Sequence, residues 1–106
     1  MKILFIGDIV GRPGRQSVAR RLPRLREEHE IDFVVANAEN AAGGIGVTPD
    51  ILRELKGLGV QAFTMGNHVW RKDELIGAMD LFPELVRPAN YPKGVPGHGS
   101  AVVETA

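Results

Sequence analysis

Five polar side chains of this sequence follow three short apolar runs, and together they could bind metal ions and move protons. They are Asp8 after the first run, Glu39 and Asn40 after the second, and Asn67 and His68 after the third. Each run is continuously apolar, which is typical of parallel strands buried on both faces. Because ligands bind beyond the carboxyl ends of parallel strands, we expect these side chains to meet at one edge of a sheet.

The residue types at this edge suit the metal-assisted hydrolysis of phosphate esters. Carboxylate and amide oxygens are the hard donors that divalent cations prefer. Two cations about 3.5–4 Å apart are the usual machinery for displacing a phosphate ester, and a carboxylate can bridge them. A histidine beside them could protonate the leaving oxygen. Each residue also has a structural alternative, since Asp8 could cap a turn, an asparagine could form one, and a single histidine such as His68 is often structural.

The glycine-rich segment from Gly7 to Arg15 matches neither of two common phosphate loops. A P-loop needs lysine and then serine or threonine after its last glycine, whereas Arg15 and Gln16 stand there. The glycine spacing also differs from the G-x-G-x-x-G dinucleotide fingerprint. Arg12 and Arg15 nevertheless lie beside this segment, where an anion could bind. Arg12 is therefore a candidate for contacting a substrate phosphate.

The elements that position these residues can be predicted from periodicity. The apolar runs at residues 2–6, 32–36 and 60–65 are expected to be strands. Each gap between them has a helical pattern, which indicates consecutive βα units and a largely parallel sheet. The first helix is expected at residues 14–30, bent or interrupted at Pro23. The predicted fold class is therefore α/β.

The second helix has clear start and stop chemistry. Thr48 can cap it, Pro49 suits its first position, and Gly57 or Gly59 can end it. Its buried stripe is expected to consist of Ile51, Leu52, Leu55 and Leu58.

Three further segments follow the third strand. A third helix is expected to begin near Lys72 and to end before Pro83. Residues 87–99 are rich in proline and glycine and predict a loop. Residues 100–104 are expected to open another strand.

The composition excludes several classes of protein. The 106 residues contain no cysteine, which excludes a disulfide scaffold and a thiolate zinc site. Thirteen basic and thirteen acidic side chains balance, which argues against the basic surface of a stable nucleic-acid binder. No apolar run approaches the roughly 20 residues of a membrane helix. We therefore expect a soluble, cytoplasmic protein with no membrane partner and no stable nucleic-acid partner.

Four motifs carry a resemblance to a known family. Gly66-Asn67-His68 is similar to the Gly-Asn-His motif of the calcineurin-like metallophosphoesterases. Gly-Asp-Ile-Val-Gly from Gly7, Asn-Ala-Glu-Asn from Asn37 and Arg-Pro-Ala-Asn-Tyr-Pro from Arg87 resemble the bacterial YmdB-like branch of that superfamily, a group of 2′,3′-cyclic-nucleotide phosphodiesterases. The resemblance extends along the whole 106 residues.

The resemblance implies a four-layer α/β-β/α sandwich, in which two β-sheets are flanked by helices. Residues 1–106 would form the amino-terminal part of a single metallophosphoesterase domain whose second half is absent. The family's remaining metal ligands are three histidines from that second half. Neither His29 nor His98 matches one of their positions.

The resemblance also implies a role for each residue at the strand ends. Asp8 would bind the first metal ion, Glu39 would bridge both ions, Asn40 would complete the first site, Asn67 would bind the second ion, and His68 would be the proton donor. The two metal ions would be divalent or trivalent, with iron as the first choice and manganese, magnesium or zinc as alternatives. The substrate would be a small phosphodiester such as a 2′,3′-cyclic nucleotide, and a homo-oligomer is left open.

Two other functions stay open at this point. The same edge could bind a nucleotide or phosphate without catalysis, so that no further ligands are needed. The chain could also be an inactive fragment of the enzyme. Two tightly held metal ions per purified chain would favour the enzyme, and none would favour a binder or a fragment.

Overall fold

Within residues 1–105, which the computed structural model describes, the chain folds around one parallel sheet of four strands. The strands lie side by side in chain order and are β1 (Ile3–Ile6), β2 (Phe33–Asn37), β3 (Ala62–Thr64) and β4 (Leu85–Val86). The helices are α1 (Gly11–His29), α2 (Pro49–Leu58) and the single turn α3 (Asp73–Ile76), which a 3₁₀ turn follows at Met79–Leu81. The predicted α/β class, with βα units and a parallel sheet, is confirmed.

Helices cover one face of this sheet. Parallel neighbours need crossover connections, and successive right-handed crossovers in one direction place their helices on the same face. Side chains on that face of β2, β3 and β4 are almost fully excluded from solvent, among them Val34, Phe63 and Leu85. They form one apolar core with residues of α1 and α2, which are Val18, Leu22, Leu52 and Leu55. This core holds the carboxyl ends of the strands at a common edge.

The opposite face of the sheet carries exposed apolar side chains. Ile3 and Phe5 of β1 are 59% and 57% exposed. Phe33, Val35 and Val86 line a groove of about 510 Å³ on the same face. In the four-layer sandwich that the resemblance implies, a second sheet would cover such a face, and that arrangement stays a prediction.

The prediction of a strand at residues 100–104 is wrong. The chain forms no strand between Ser100 and Glu104. Ala101 and Val103 instead line the groove on the open face of the sheet. A segment that lies across a face cannot pair with an edge strand, because ladder hydrogen bonds lie in the plane of the sheet.

The helix α1 begins three residues before its predicted start and runs through Pro23 without interruption. Gly11 begins it with a φ of 59°, in the left-handed region that favours glycine. Pro23 has no N–H and removes one helical hydrogen bond. The burial of Val18 and Leu22 on the inner face keeps the helix continuous across that gap. No helix in residues 1–105 is long and apolar enough to cross a membrane.

The helix α2 matches its prediction in detail. The Thr48 hydroxyl oxygen accepts a hydrogen bond of 3.3 Å from the backbone N–H of Ile51, and Pro49 is the first helical residue. Gly59 ends the helix with a φ of 113°. Of its predicted buried stripe, Leu52 and Leu55 are fully buried, while the remaining two residues are partly buried.

The third predicted helix is split, and β4 was not predicted. α3 ends at Ile76, where Gly77 lowers helix propensity, and the 3₁₀ turn follows separately. β4 contains only Leu85 and Val86, which is too short for a periodic signal. It exists because these two residues pair with Phe63 and Thr64 of β3.

Candidate functional site

The carboxyl ends of β1, β2 and β3 bring four of the five predicted residues into one hydrogen-bonded group, the strand-end cluster of Asp8, Glu39, Asn40 and His68. The side-chain nitrogen Nδ2 of Asn40 donates to both carboxylate oxygens of Asp8, at 3.0 Å each. The Oδ1 atom of Asn40 contacts Nδ1 of His68. Asn40 therefore links the first strand end to the third.

Backbone hydrogen bonds fix the loops that carry this cluster. The N–H groups of Ile9 and Gly11 donate to the carbonyl oxygens of Asn37 (3.2 Å) and Asn40 (3.0 Å), which ties the first loop to the second. The N–H of Ala38 donates to the carbonyl of Thr64 at 3.0 Å, which ties the second loop to the third. Hydrogen bonds between neighbouring loops thus hold the cluster at the edge of the sheet.

Glu39 is held from two sides. Its Oε2 accepts a hydrogen bond of 3.2 Å from the backbone N–H of His68 and lies 4.0 Å from Nδ1 of the same residue. Its Oε1 lies 3.5 Å from Nδ2 of Asn37. The Glu39 side chain is 17% exposed, so most of it is shielded from solvent.

The ring nitrogen Nδ1 of His68 faces Asn40 and Glu39. Because Oδ1 of Asn40 can only accept, its contact with Nδ1 favours the tautomer that carries the proton on Nδ1. The His68 side chain is 25% exposed, which leaves room for a ligand to approach.

Gly66 makes room for the Glu39 carboxylate, a relation that no pattern in the sequence singles out. A Cβ atom at position 66 would lie 2.6 Å from Oε2 and 2.7 Å from Cδ of Glu39. Real Cβ atoms do not approach so closely, so any larger residue would displace the carboxylate. The glycine before Asn67 therefore has a steric role in the site.

Replacing Gly66 with alanine is expected to push the Glu39 carboxylate out of the cluster. In a chimera that joins this chain to the second half of a longer metallophosphoesterase, the same change should weaken Mn²⁺ binding by about tenfold or more. Water-proton relaxation during a Mn²⁺ titration measures this affinity. Gly57→Ala is the matched control, because a Cβ there meets nothing within 4 Å and position 57 lies inside α2. Equal Mn²⁺ affinity of the two variants would contradict the steric role of Gly66.

The fifth of these residues, Asn67, and the phosphate candidate Arg12 form no hydrogen bond to the cluster within residues 1–105. Asn67 is exposed and adjoins His68 in the loop after β3. Arg12 is exposed in the first turn of α1 and lines a shallow pocket with Gln16 and Glu54, on the side that faces α2. The structure brings neither side chain into the network of Asp8, Asn40 and His68.

Arg15, which also adjoins the glycine-rich segment, has a structural role. Its Nη1 donates to the carbonyl oxygen of Ala41 at 2.6 Å, and its Nε donates to Oε2 of Glu54 at 3.0 Å. These bonds tie α1 to the loop after β2 and to α2. An arginine engaged in this way is not available to a passing anion.

The predicted loop at residues 87–99 is confirmed and is fastened near the cluster. Trp70, two residues after His68, donates from its indole N–H to the carbonyl oxygen of Pro96 at 3.3 Å. Its ring lies 5.2 Å from that of Tyr91. His98 contacts the carbonyl oxygen of Pro83 at 3.0 Å and belongs to this loop rather than to the cluster.

The donor chemistry of the strand ends fits hard metal ions as part of a larger ligand set. Two carboxylates, from Asp8 and Glu39, and the amide oxygens of Asn40 and Asn67 are the oxygen donors that such cations prefer. An amide oxygen has two lone pairs, so Asn40 can contact His68 and still bind a cation. Within residues 1–105, no three carboxylate or histidine side chains converge closely enough to hold a metal ion by themselves.

Comparison with known proteins supplies a family match and close structural relatives. The family described as YmdB-like protein matches residues 4–106. The chain is 48% identical over 104 residues to the 2′,3′-cyclic-nucleotide 2′-phosphodiesterase of Bacillus subtilis, covering 98% of this chain and 39% of that protein. This chain therefore spans about two fifths of the relative's length.

Two crystal structures share the fold. A hypothetical protein from Thermus thermophilus matches with a TM-score of 0.90 and 40% identity, over 98% of this chain and 40% of that one. A novel phosphatase from Mycoplasma pneumoniae matches with a TM-score of 0.91 and 34% identity, over 98% of this chain and 38% of that one. Similarity at this level carries both the fold and the family.

Proposed function

Because this chain belongs to the YmdB-like protein family, we propose that its strand-end cluster is part of the active site of a metal-dependent phosphodiesterase. The substrate class that we propose is 2′,3′-cyclic nucleotides, which the name of the Bacillus subtilis relative specifies for that protein. The observation that carries the proposal is the link from Asp8 through Asn40 to His68, which joins candidate metal ligands to a candidate proton donor.

The proposed metal centre has two ions, with iron as the first choice and manganese, magnesium or zinc as alternatives. Asp8 and Asn40 would hold one ion, Asn67 would hold the other, and Glu39 would contact both. The ions would supply positive charge against the negative charge that develops on the phosphate. The longer family members that this chain resembles have three further histidine ligands in their second half. The resemblance implies that these histidines complete the ligand set.

His68 would deliver the proton that the leaving group needs. Water adds to phosphorus, the bond from phosphorus to one ribose oxygen breaks, and Nε2 of His68 protonates that oxygen. The proton that the attacking water loses passes to solvent, and solvent returns a proton to His68. Asn40 would keep the ring oriented by accepting from Nδ1, which leaves Nε2 as the nitrogen that delivers the proton. Arg12, exposed at the start of α1, would add positive potential that attracts the anionic substrate.

A chimera tests this proposal. Replacing the matching 39% of the Bacillus subtilis relative with this chain should give a folded protein that retains metal ions and hydrolyses 2′,3′-cyclic nucleotides. Release of the nucleoside monophosphate, followed by chromatography, measures the activity. The same chimera with Glu39→Gln is the matched control and should lose metal ions and activity together. A folded chimera with full metal content and no hydrolysis would contradict the proposed function.

A further inference from the structure

Asn37 is a polar residue at the same edge of the sheet as the strand-end cluster. Neither the sequence motifs nor the proposed mechanism assigns it a role. It is the last residue of β2, in register with Thr64 of β3, and it precedes Glu39 by two residues. Its side-chain Oδ1 accepts a hydrogen bond of 3.3 Å from the backbone N–H of Glu39. This is the local bond of an Asx turn, which by itself would make Asn37 a turn former.

The second contact of Asn37 goes beyond a turn. A backbone N–H can only donate, so the bond from Glu39 fixes Oδ1 on that side and places Nδ2 on the other. Nδ2 then lies 3.5 Å from Oε1 of Glu39, the oxygen that the His68 N–H does not occupy. An Asx turn needs only the oxygen of this side chain. The amide donor is what distinguishes asparagine from aspartate or serine at such a turn.

We propose that Asn37 is a positioning residue that fixes the Glu39 carboxylate at the edge of the sheet. Asn37 holds Oε1, the backbone N–H of His68 holds Oε2, and the bare backbone of Gly66 leaves the space between them. Donors of this kind orient ligating carboxylates before a metal ion arrives. The consequence for metal binding rests on the proposed function, whereas the placement of the carboxylate does not.

Two substitutions separate this role from that of a turn former. Asn37→Asp and Asn37→Ser both keep an oxygen that can accept from the Glu39 N–H, and both remove the amide donor. In metal-free crystals of each variant, we expect the Glu39 carboxylate to leave its position by more than about 1 Å or to lose its density. In the chimera with the Bacillus subtilis relative, which supplies the remaining ligands, Mn²⁺ affinity should fall by about 10–100-fold with either substitution. Thermal unfolding of the metal-free proteins should stay near that of the wild type.

The outcomes that overturn the proposal are specific. A Glu39 carboxylate that keeps its place in either crystal structure shows that Asn37 serves only the turn. Wild-type Mn²⁺ affinity in both variants has the same meaning. If the chimera with wild-type Asn37 binds no Mn²⁺, the proposed function fails, while the carboxylate position in the metal-free crystals still decides the role of Asn37. Should Asn37→Asp fail to fold, Asn37→Ser supplies the same two measurements without the added charge.

Discussion

Replacing His68 with alanine in the chimera is expected to lower turnover of 2′,3′-cyclic nucleotides by about 10²–10⁴-fold, the usual contribution of a general acid. Metal content should stay unchanged, because the proposed ligands lie on Asp8, Glu39, Asn40 and Asn67. The loss should be much smaller on a p-nitrophenyl phosphodiester, whose leaving group is a weak base and departs without a proton. Steady-state rates on the two substrates, with metal analysis of each preparation, measure the effect.

The matched control for this prediction is His29→Ala. His29 is exposed in the last turn of α1, away from the strand ends, and its loss should leave both rates unaltered. Equal losses on the two substrates in His68→Ala would mean that His68 binds or orients the phosphate rather than protonating the leaving oxygen. Unchanged turnover would remove His68 from the mechanism altogether.

Replacing Phe63 with alanine is expected to destabilise the fold by about 3–5 kcal/mol. Phe63 is fully buried in β3, between β2 and β4, and its removal leaves a cavity in the apolar core. A loss of this size is a large part of the roughly 5–15 kcal/mol that stabilises a typical domain. Urea unfolding followed by circular dichroism should show a midpoint lower by about 2 M, since such slopes are about 1–3 kcal/mol per M.

Phe5 supplies the same substitution on the open face of the sheet. It is 57% exposed, so Phe5→Ala removes little buried area and should cost less than about 1 kcal/mol. Comparing the two variants separates the free-energy cost of the core cavity from any general effect of losing a phenyl ring. Similar midpoints for the two variants would show that the helix-covered face is not where the stability of the sheet resides.

The elements that the sequence predicts well are those with local causes. α2 forms where expected because Thr48, Pro49 and Gly59 each act within a few residues of their own position. The first three strands are found because buried parallel strands are continuously apolar. β4 escapes prediction because its two residues become a strand only through pairing with Phe63 and Thr64.

The remaining errors have causes in tertiary structure. Pro23 should interrupt α1 by propensity, but the core contacts of Val18 and Leu22 keep the helix continuous. Ala101 and Val103 have the composition of a strand, yet they lie across the open face instead of along an edge. Propensity describes the isolated segment, and these segments are placed by what they pack against.

Some features of the candidate site could also be predicted from the sequence, whereas others depend on tertiary structure. Asp8, Glu39, Asn40 and His68 could be placed together because strand ends in a parallel sheet share an edge. The local sequence does not determine the distances between side chains on different strand ends. The three-dimensional structure is therefore needed to see the space that Gly66 leaves and the hydrogen-bond donor that Asn37 offers to Glu39. The same holds for Arg15, whose bonds to Ala41 and Glu54 separate it from Arg12.

The order of the strands has a consequence for how this chain is made. Each strand pairs with the one that the ribosome released just before it, so no strand has to be inserted between two that are already paired. Folding can therefore follow synthesis, with each βα unit added to the growing side of the sheet. The residues of the cluster would then come together in the order of translation, first Asp8, next Glu39 and Asn40, and last His68.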